Sequence, residues 1–147
     1  MRISGSYKLP FEQDSAYQSL QDPLILARCV PGCDALEKVG EDEYAMNMQV
    51  DVAGFAGLFR GKIKVTDPHP PHSFKILVEG GVMFGDLKGE GVISFATASE
   101  GTELSYDGDV LVGGAIAALG ARLIDSSAKT MIRKFFERFS EEVKGPQ

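Results

Sequence analysis

The side chains in this sequence best suited to metal or redox chemistry are two cysteines and two histidines. Cys29 and Cys33 flank Val-Pro-Gly, a spacing one residue longer than a CxxC redox motif, and no second thiol pair completes a zinc site. His69 and His72 lie in Asp67-Pro-His-Pro-Pro-His, which is typical of a stiff polar turn. We therefore expect two ordinary thiols, with a local disulfide or a metal as the alternatives, and no metal at any of the four side chains.

Side chains that could carry out catalysis are equally scarce. No Ser, His and Asp set suggests itself, and most carboxylates fall at positions predicted to face outward. Tyr106 and Ser127 are the polar candidates that the pattern turns inward, and each also fits a simple packing role. The glycines between Gly80 and Gly91 lead into a strand and lack Gly-Lys-Ser/Thr, which argues against a phosphate-binding loop. We expect a protein that is not an enzyme.

Composition limits the partners further. The 147 residues carry a formal charge of -6, with nine Lys or Arg against seventeen Asp or Glu in the first 110 residues, so nucleic acid is not an expected partner. The longest uncharged apolar run, residues 110 to 121, is shorter than the about 18 residues that span a bilayer, and no signal-peptide pattern opens the chain. We expect one domain over residues 1 to 147, located in the cytoplasm.

The longest periodic segment runs from residue 116 to residue 143. Its apolar side chains recur every three or four residues, which predicts one amphipathic helix about 40 Å long that must lie across a sheet. We expect Phe135 and Phe139 to be buried against the sheet, and Leu119 and Leu123 to lie near the mouth of any cavity.

The rest of the sequence predicts strands and two small helices. Residues 2 to 9 alternate as a half-buried strand, and helices are predicted over residues 11 to 20 and after the Asp22-Pro23 cap. About six further strands, separated by turn signals, follow between residues 35 and 110. Each has one apolar face, so the sequence predicts an α+β fold in which a curved antiparallel sheet wraps around the long helix.

The turns differ between the two ends of the predicted sheet. Those at residues 40–43, 67–72 and 99–102 are polar, whereas residues 54–59, 80–85 and 112–117 combine glycine with Phe55, Phe84 and other apolar side chains. Such exposed apolar loops are typical of a surface that meets a ligand, a membrane or a partner. The alternative is that these side chains fold inward and plug the core.

The inward-facing side chains could enclose either a packed core or an apolar cavity, which periodicity does not distinguish. Gly89 and Gly91 on the inward face suggest bending of the sheet or space kept open beneath it. A cavity of this kind would have its mouth between Phe55, Phe84 and the start of the long helix. The predicted ligand-binding residues are Met46, Met48, Phe55, Phe59, Phe74, Ile76, Phe84, Ile93, Phe95, Tyr106, Ile116, Leu119, Leu123 and Ser127.

Several local motifs follow one another along nearly the whole chain. They are Asp22-Pro-Leu, Cys29-Val-Pro-Gly, Gly54-x-x-Gly-x-Phe59-x-Gly61, Asp67-x-x-Pro-Pro71, Gly89-x-Gly91, Gly101-Thr-x-Leu-x-Tyr106 and Val112-Gly-Gly-x-Ile-Ala-x-Leu-Gly-x-Arg-Leu123. These motifs closely resemble those of the CoxG family of carbon monoxide dehydrogenase subunits. The order of the predicted elements resembles the helix-grip fold of START-like and Bet v 1-like (SRPBCC) proteins.

The resemblance implies a small protein that accompanies molybdenum hydroxylases such as carbon monoxide dehydrogenase. It also implies a hydrophobic cavity for a lipid-like or quinone-like ligand, with no covalently bound cofactor. Many members carry a further C-terminal segment for membrane anchoring, which suggests peripheral contact with the inner face of the membrane. A ligand-free adaptor or maturation factor is the main alternative, and a cavity-based cyclase-like or hydrolase-like enzyme is the other.

Overall fold

The computed structural model describes residues 1–52, 55–82 and 85–143. Within these residues the strands are β1 (Arg2–Leu9), β2 (Cys33–Gly40), β3 (Glu43–Val52), β4 (Phe55–His69), β5 (Ser73–Val82), β6 (Gly85–Ala98) and β7 (Gly101–Gly114). They form one antiparallel sheet in the order β1-β7-β6-β5-β4-β3-β2. The predicted strand followed by a meander is confirmed, with the first strand pairing with the last.

Helices occupy the connection between β1 and β2 and the segment that follows β7. Between β1 and β2 lie α1 (Gln13–Ser19) and α2 (Pro23–Cys29), and after β7 come a 3-10 helix (Ala115–Leu119) and α3 (Ala121–Val143). The Asp22 carboxylate accepts a hydrogen bond from the Leu24 backbone N–H at 2.9 Å, so α2 begins where the sequence predicts.

The long C-terminal helix starts later than predicted. Gly120 adopts φ = +89°, a left-handed conformation that glycine takes at little cost, and it separates the 3-10 helix from α3. The prediction of one continuous helix from residue 116 is therefore wrong at its start. The apolar spacing continues through Gly120 because a 3-10 turn also places residues three apart on one side. At 23 residues, α3 is about 35 Å long.

The packed core lies toward one end of the sheet, which we call the polar end, where residues 41–42, 70–72 and 99–100 connect the strands. Tyr17 of α1 closes this end, with its ring centroid 5.5 Å from that of Phe74 and 5.4 Å from that of Phe95. The Thr102 hydroxyl, fully buried, donates a hydrogen bond to the Phe11 carbonyl at 2.8 Å. The main side chains of this core are Leu9, Tyr17, Phe74, Phe95, Leu104, Phe136 and Phe139.

The opposite end, which we call the apolar end, is where β3, β5 and β7 finish. Val52 pairs with Phe55, Val82 with Gly85, and Gly85 with Gly114, so these strand ends are neighbours. The predicted sorting of turns between the two ends is thus confirmed. Residues 53–54 and 83–84, including the predicted mouth residue Phe84, lie outside the described residues, as does the side chain of Phe55.

Candidate functional site

An apolar cavity of about 440 Å³ lies between the inner face of the sheet, α2 and the second half of α3. This volume falls within the about 300–1,000 Å³ typical of small-molecule sites. Nearly all of the surrounding surface is contributed by aliphatic and aromatic side chains. The cavity begins where the packed core ends and extends toward the apolar end of the sheet.

The floor of the cavity is formed by two neighbouring rows of the sheet. In one row Ile76, Gly91, Gly108 and Ile3 follow one another across β5, β6, β7 and β1. In the next row Gly89 stands between Val78 and Val110. Because three of these positions carry no side chain, the floor lies low beneath α3 and space remains above it. The expectation that Gly89 and Gly91 keep space open agrees with this arrangement, whereas Gly108 was not anticipated.

The roof is formed by the helices. Met131, Ile132, Phe135 and Phe136 project from α3, while Leu26 and the Val30-Pro31 segment close the side next to α2. The contribution of α2 was not predicted, because this helix is too short for apolar periodicity to show which of its side chains face inward.

The structure corrects the predicted role of Phe135. The Phe135 side chain borders the cavity and is only partly buried. Phe136 also borders the cavity but is 7% exposed, and Phe139 is 0% exposed, so these two side chains belong to the packed core. Residues 135 and 136 lie about 100° apart around a helix, so the exact orientation of α3 decides which of the two enters the core.

Six predicted ligand-binding residues are brought together around the cavity. They are Met46, Met48, Phe74, Ile76, Ile93 and Tyr106. Two others lie just beyond it. Phe95 is buried in the packed core at the polar end. Phe59 covers glycines toward the apolar end, because a Cβ built at Gly61 or Gly80 would approach its ring to 2.5 or 2.6 Å.

The predicted residues of the C-terminal segment do not line the cavity. Ile116 packs against Gly85 at the apolar end, and Leu123 is 41% exposed. Leu119 and Ser127 are partly buried elsewhere. The break at Gly120 places Ile116 and Leu119 on a separate 3-10 helix, whereas Leu123 and Ser127 lie on the first turns of α3, which reaches the cavity only from Met131 onward.

Hydroxyl groups around the cavity differ in their hydrogen bonding. Tyr44, at the cavity wall, donates to the Gln21 carbonyl at 2.7 Å. Tyr106 makes no hydrogen bond to another described residue, and its oxygen lies over Gly5, where an added Cβ would approach it to 2.6 Å. Burial above all, with smaller effects from Tyr7 and Asp125, raises the pKa of Tyr106 above its ordinary 10.0. The phenol is therefore a protonated, available donor at neutral pH.

The two thiols and the two imidazoles do not line this cavity, although Cys29 directly precedes Val30, which does. Cys29 is fully buried and Cys33 partly buried, and the two form no disulfide. Burial raises the pKa of the Cys29 thiol to about 11 and also raises the pKa of the Cys33 thiol. His69 and His72 are exposed, and the Nδ1 atom of His72 lies 3.4 Å from the Gln13 amide nitrogen. Over the described part of the chain, no three His, Cys, Asp or Glu side chains gather as a metal site would require.

A helix can cross a bilayer only if it is long and apolar enough. Among the residues that the structure covers, none of the helices combines the length and the apolar character needed to cross a bilayer.

Comparison with known proteins gives one family and several solved structures. The sequence model of CoxG, the G component of carbon monoxide dehydrogenase, matches residues 5–144. A conserved protein from Geobacillus kaustophilus is 36% identical, with a TM-score of 0.92 over 98% of this chain and 95% of that chain. No curated protein sequence matches this chain significantly.

More distant structures share the fold. A START superfamily protein from Mycobacterium smegmatis is 13% identical, with a TM-score of 0.73 over 97% of each chain. An aromatase/cyclase from Streptomyces sp. R1128 is 14% identical, with a TM-score of 0.65 over 98% of this chain and 93% of that chain. These likenesses establish the START-like helix-grip fold, which this chain therefore shares with at least one cyclase.

Proposed function

The chain belongs to the CoxG family of carbon monoxide dehydrogenase subunits, and on that premise we propose that it is an accessory protein that carries a lipid-like or quinone-like molecule in its cavity. The hydroxylase that it serves is of the carbon monoxide dehydrogenase type, and the protein links that enzyme to the membrane in which such molecules reside. The protein itself holds and delivers the ligand without transforming it.

The cavity is the observation that supports this proposal. It offers about 440 Å³ bounded almost entirely by apolar side chains. Water is a poor occupant of such a space because each buried water needs about two to four polar partners. An apolar chain or ring would instead gain about 25 cal/mol for each Å² of its surface removed from water. The ligand class is therefore a molecule that is mostly hydrocarbon.

The partner and the membrane link rest on family membership and on the sequence of the apolar end. The family name associates its members with carbon monoxide dehydrogenase. The segments 54–59, 80–85 and 112–117 carry apolar side chains beside glycine, and their described residues lie at the apolar end. A surface of this kind is typical of contact with a membrane or another protein.

An enzymatic function has less support. The aromatase/cyclase neighbour is 14% identical, which establishes a shared fold but no shared chemistry. Of the two polar candidates from the sequence, Tyr106 borders the cavity while Ser127 does not. A ligand-free adaptor or maturation factor would use the apolar end in the same way but leaves the cavity without a role.

Native mass spectrometry of gently purified protein, followed by organic extraction, tests the proposal. We expect a copurifying apolar molecule whose mass adds to that of the chain and which reappears in the extract. Protein that is empty, binds no added apolar probe, and still associates with liposomes or with the hydroxylase would favour the adaptor instead.

A further inference from the structure

A second concavity, of about 580 Å³, lies beside the cavity. We call it the β1–α3 groove. Ser4, Ser6 and Tyr7 of β1 form one bank, and Arg122, Lys129 and Arg133 are among the α3 side chains that form the other. In contrast to the cavity, about half of its surface is polar.

The cavity and the β1–α3 groove share one side chain, Tyr106, which borders both. Phe136 of α3 stacks between two tyrosines, with its ring centroid 4.7 Å from that of Tyr7 and 6.5 Å from that of Tyr106. Gly5 faces Tyr106 from the neighbouring strand and leaves the room that the tyrosine hydroxyl occupies. The two spaces therefore meet at Tyr106, whose phenol oxygen lies at their boundary beside the rings of Phe136 and Tyr7.

The charge of the β1–α3 groove is opposite to that of the whole chain. Its lining contains three cations, Arg122, Lys129 and Arg133, and one carboxylate, Asp125. Lys129 pairs with Asp125 at 3.2 Å, and Arg133 approaches Glu137 at 3.9 Å. Arg122 has no ion pair with any other described residue. A net positive groove in a protein of charge -6 attracts electronegative groups.

We propose that the ligand is amphipathic, with its hydrocarbon body in the cavity and an oxygen-bearing head group in the β1–α3 groove, where the Tyr106 hydroxyl donates a hydrogen bond to it. This inference rests on the proposed function, because it assigns an orientation and a head-group chemistry to the molecule that the cavity holds. Arg122 is the group that would distinguish a charged head from a neutral one, since guanidinium attracts a carboxylate far more strongly than a carbonyl.

The donor argument follows from the surroundings of Tyr106. Its phenol remains protonated at neutral pH and lacks a protein acceptor among the described residues, so it is free to donate to a ligand. No buried side-chain oxygen or nitrogen among the described residues lacks a hydrogen-bond partner, so the Tyr106 hydroxyl is within reach of solvent, and a head-group oxygen would take the place of water there. An acceptor oxygen at this point satisfies the donor while the attached chain remains in the cavity.

Three probes test separately where the hydrocarbon body binds and where the head group binds. Diphenylhexatriene is a fluorescent hydrocarbon without oxygen, decylubiquinone has a neutral oxygen-bearing head, and dodecanoate has a charged one. Diphenylhexatriene binding to the full chain is measured first, and the other two are then added as competitors. In Tyr106→Phe we expect both competitors to bind about tenfold more weakly, with diphenylhexatriene itself unchanged. Arg122→Gln should weaken dodecanoate alone.

Matched variants control for loss of a hydroxyl or a charge. Tyr17→Phe removes a hydroxyl that bonds the Ser73 carbonyl in the packed core, and Arg60→Gln removes a cation from the outer face. Neither should change the affinity of either competitor. Gly5→Ala should reproduce the effect of Tyr106→Phe, because the added Cβ would meet the tyrosine oxygen.

The outcomes separate the inference from the function on which it rests. If diphenylhexatriene binds but Tyr106→Phe leaves both competitors unchanged, the orientation is wrong and the carrier function stands. If none of the three probes binds the wild-type chain, both are overturned. If decylubiquinone alone responds to Tyr106→Phe, the orientation holds and the head group is neutral.

Discussion

Gly91 of β6 lies directly opposite Gly108 of β7 in the row of the sheet that faces α3. A Cβ built at Gly108 would lie 2.6 Å from the Glu90 carbonyl oxygen, and one at Gly91 would lie 3.0 Å from that of Asp107. The two strands therefore approach each other too closely for a side chain at Gly108. The neighbouring Gly89 differs, because its Cβ would meet the Asp109 oxygen at 3.4 Å and Val110 at 3.6 Å, which are ordinary contacts.

This difference predicts that the cavity can be filled at one glycine and not at the other. Gly89→Val should fold normally, since the added carbons enter the cavity and valine suits a strand. It should weaken diphenylhexatriene binding about tenfold, as measured by fluorescence titration. Gly108→Ala serves as the contrast, because its Cβ would push against backbone and should lower the melting temperature by a few degrees. Unchanged probe binding in folded Gly89→Val would show that the cavity is not the binding site.

Along α3, the cost of truncating an apolar side chain should depend on position. Phe139 is fully buried, so Phe139→Ala should lower the free energy of unfolding by about 3 to 5 kcal/mol. Leu123 is 41% exposed, and Leu123→Ala should cost less than about 1 kcal/mol. Chemical denaturation of the two variants measures both values. Equal costs would mean that the first turns of α3 pack as tightly as the last.

Phe135 should behave differently from its neighbour in the core. Since Phe135 borders the cavity and is only partly buried, Phe135→Ala should destabilise the protein less than Phe139→Ala while altering probe affinity. The same fluorescence titration, run beside a thermal melt, reports both effects. A large loss of stability with unchanged probe affinity would show that Phe135 belongs to the packed core and does not contact the ligand.

The two thiols should react with iodoacetamide at different rates. The pKa of Cys29 is raised by burial to about 11 from an ordinary 9.0, so the protonated, unreactive thiol persists in the folded protein at pH values where a free thiol is ionised. The stability that this burial contributes is complete below about pH 9 and is lost as the pH rises toward 11. Mass spectrometry after labelling should therefore find Cys33 modified first, and Cys29 only after unfolding. Prompt labelling of Cys29 in folded protein at neutral pH would contradict its burial.

The apolar end should provide the contact with the membrane or the hydroxylase. Phe55 is the first residue of β4, in the glycine-rich segment 54–59, and Phe84 belongs to the glycine-rich segment 80–85 of the sequence. If their side chains meet a partner, Phe55→Ser/Phe84→Ser should remain folded and lose association with liposomes or the enzyme, measured by co-sedimentation and by pull-down. Ser substitutions that lower the melting temperature without affecting association would instead identify these side chains as a plug of the core.

The sequence alone determined the architecture because its signals are local. Alternation in residues 2 to 9, the cap at Asp22-Pro23 and the turns between apolar runs each follow from backbone chemistry within a few residues. The motifs from Asp22-Pro-Leu to Val112-Gly-Gly indicated the family because short motifs in a fixed order can be read directly from the sequence. The family model confirms this over residues 5–144.

The composition of the cavity was decided by the tertiary structure. Periodicity turns Phe95, Ile93 and Phe135 to the same interior, but it does not say that Phe95 packs against Tyr17 while the other two border open space. That division depends on where α1 closes the polar end and how α3 crosses the sheet, which are contacts between residues far apart in sequence.

The start and orientation of α3 show the same limit. A single left-handed residue, Gly120, separates Leu119 from α3, and Leu123 lies on the first turn of the helix, before it reaches the cavity, although the spacing of both side chains fits the apolar stripe. Likewise, Gly5 and Tyr106 lie about a hundred residues apart, and only strand pairing between β1 and β7 places the phenol oxygen over the glycine. Side-chain spacing fixes which face is apolar, whereas packing between distant elements decides whether that face is filled.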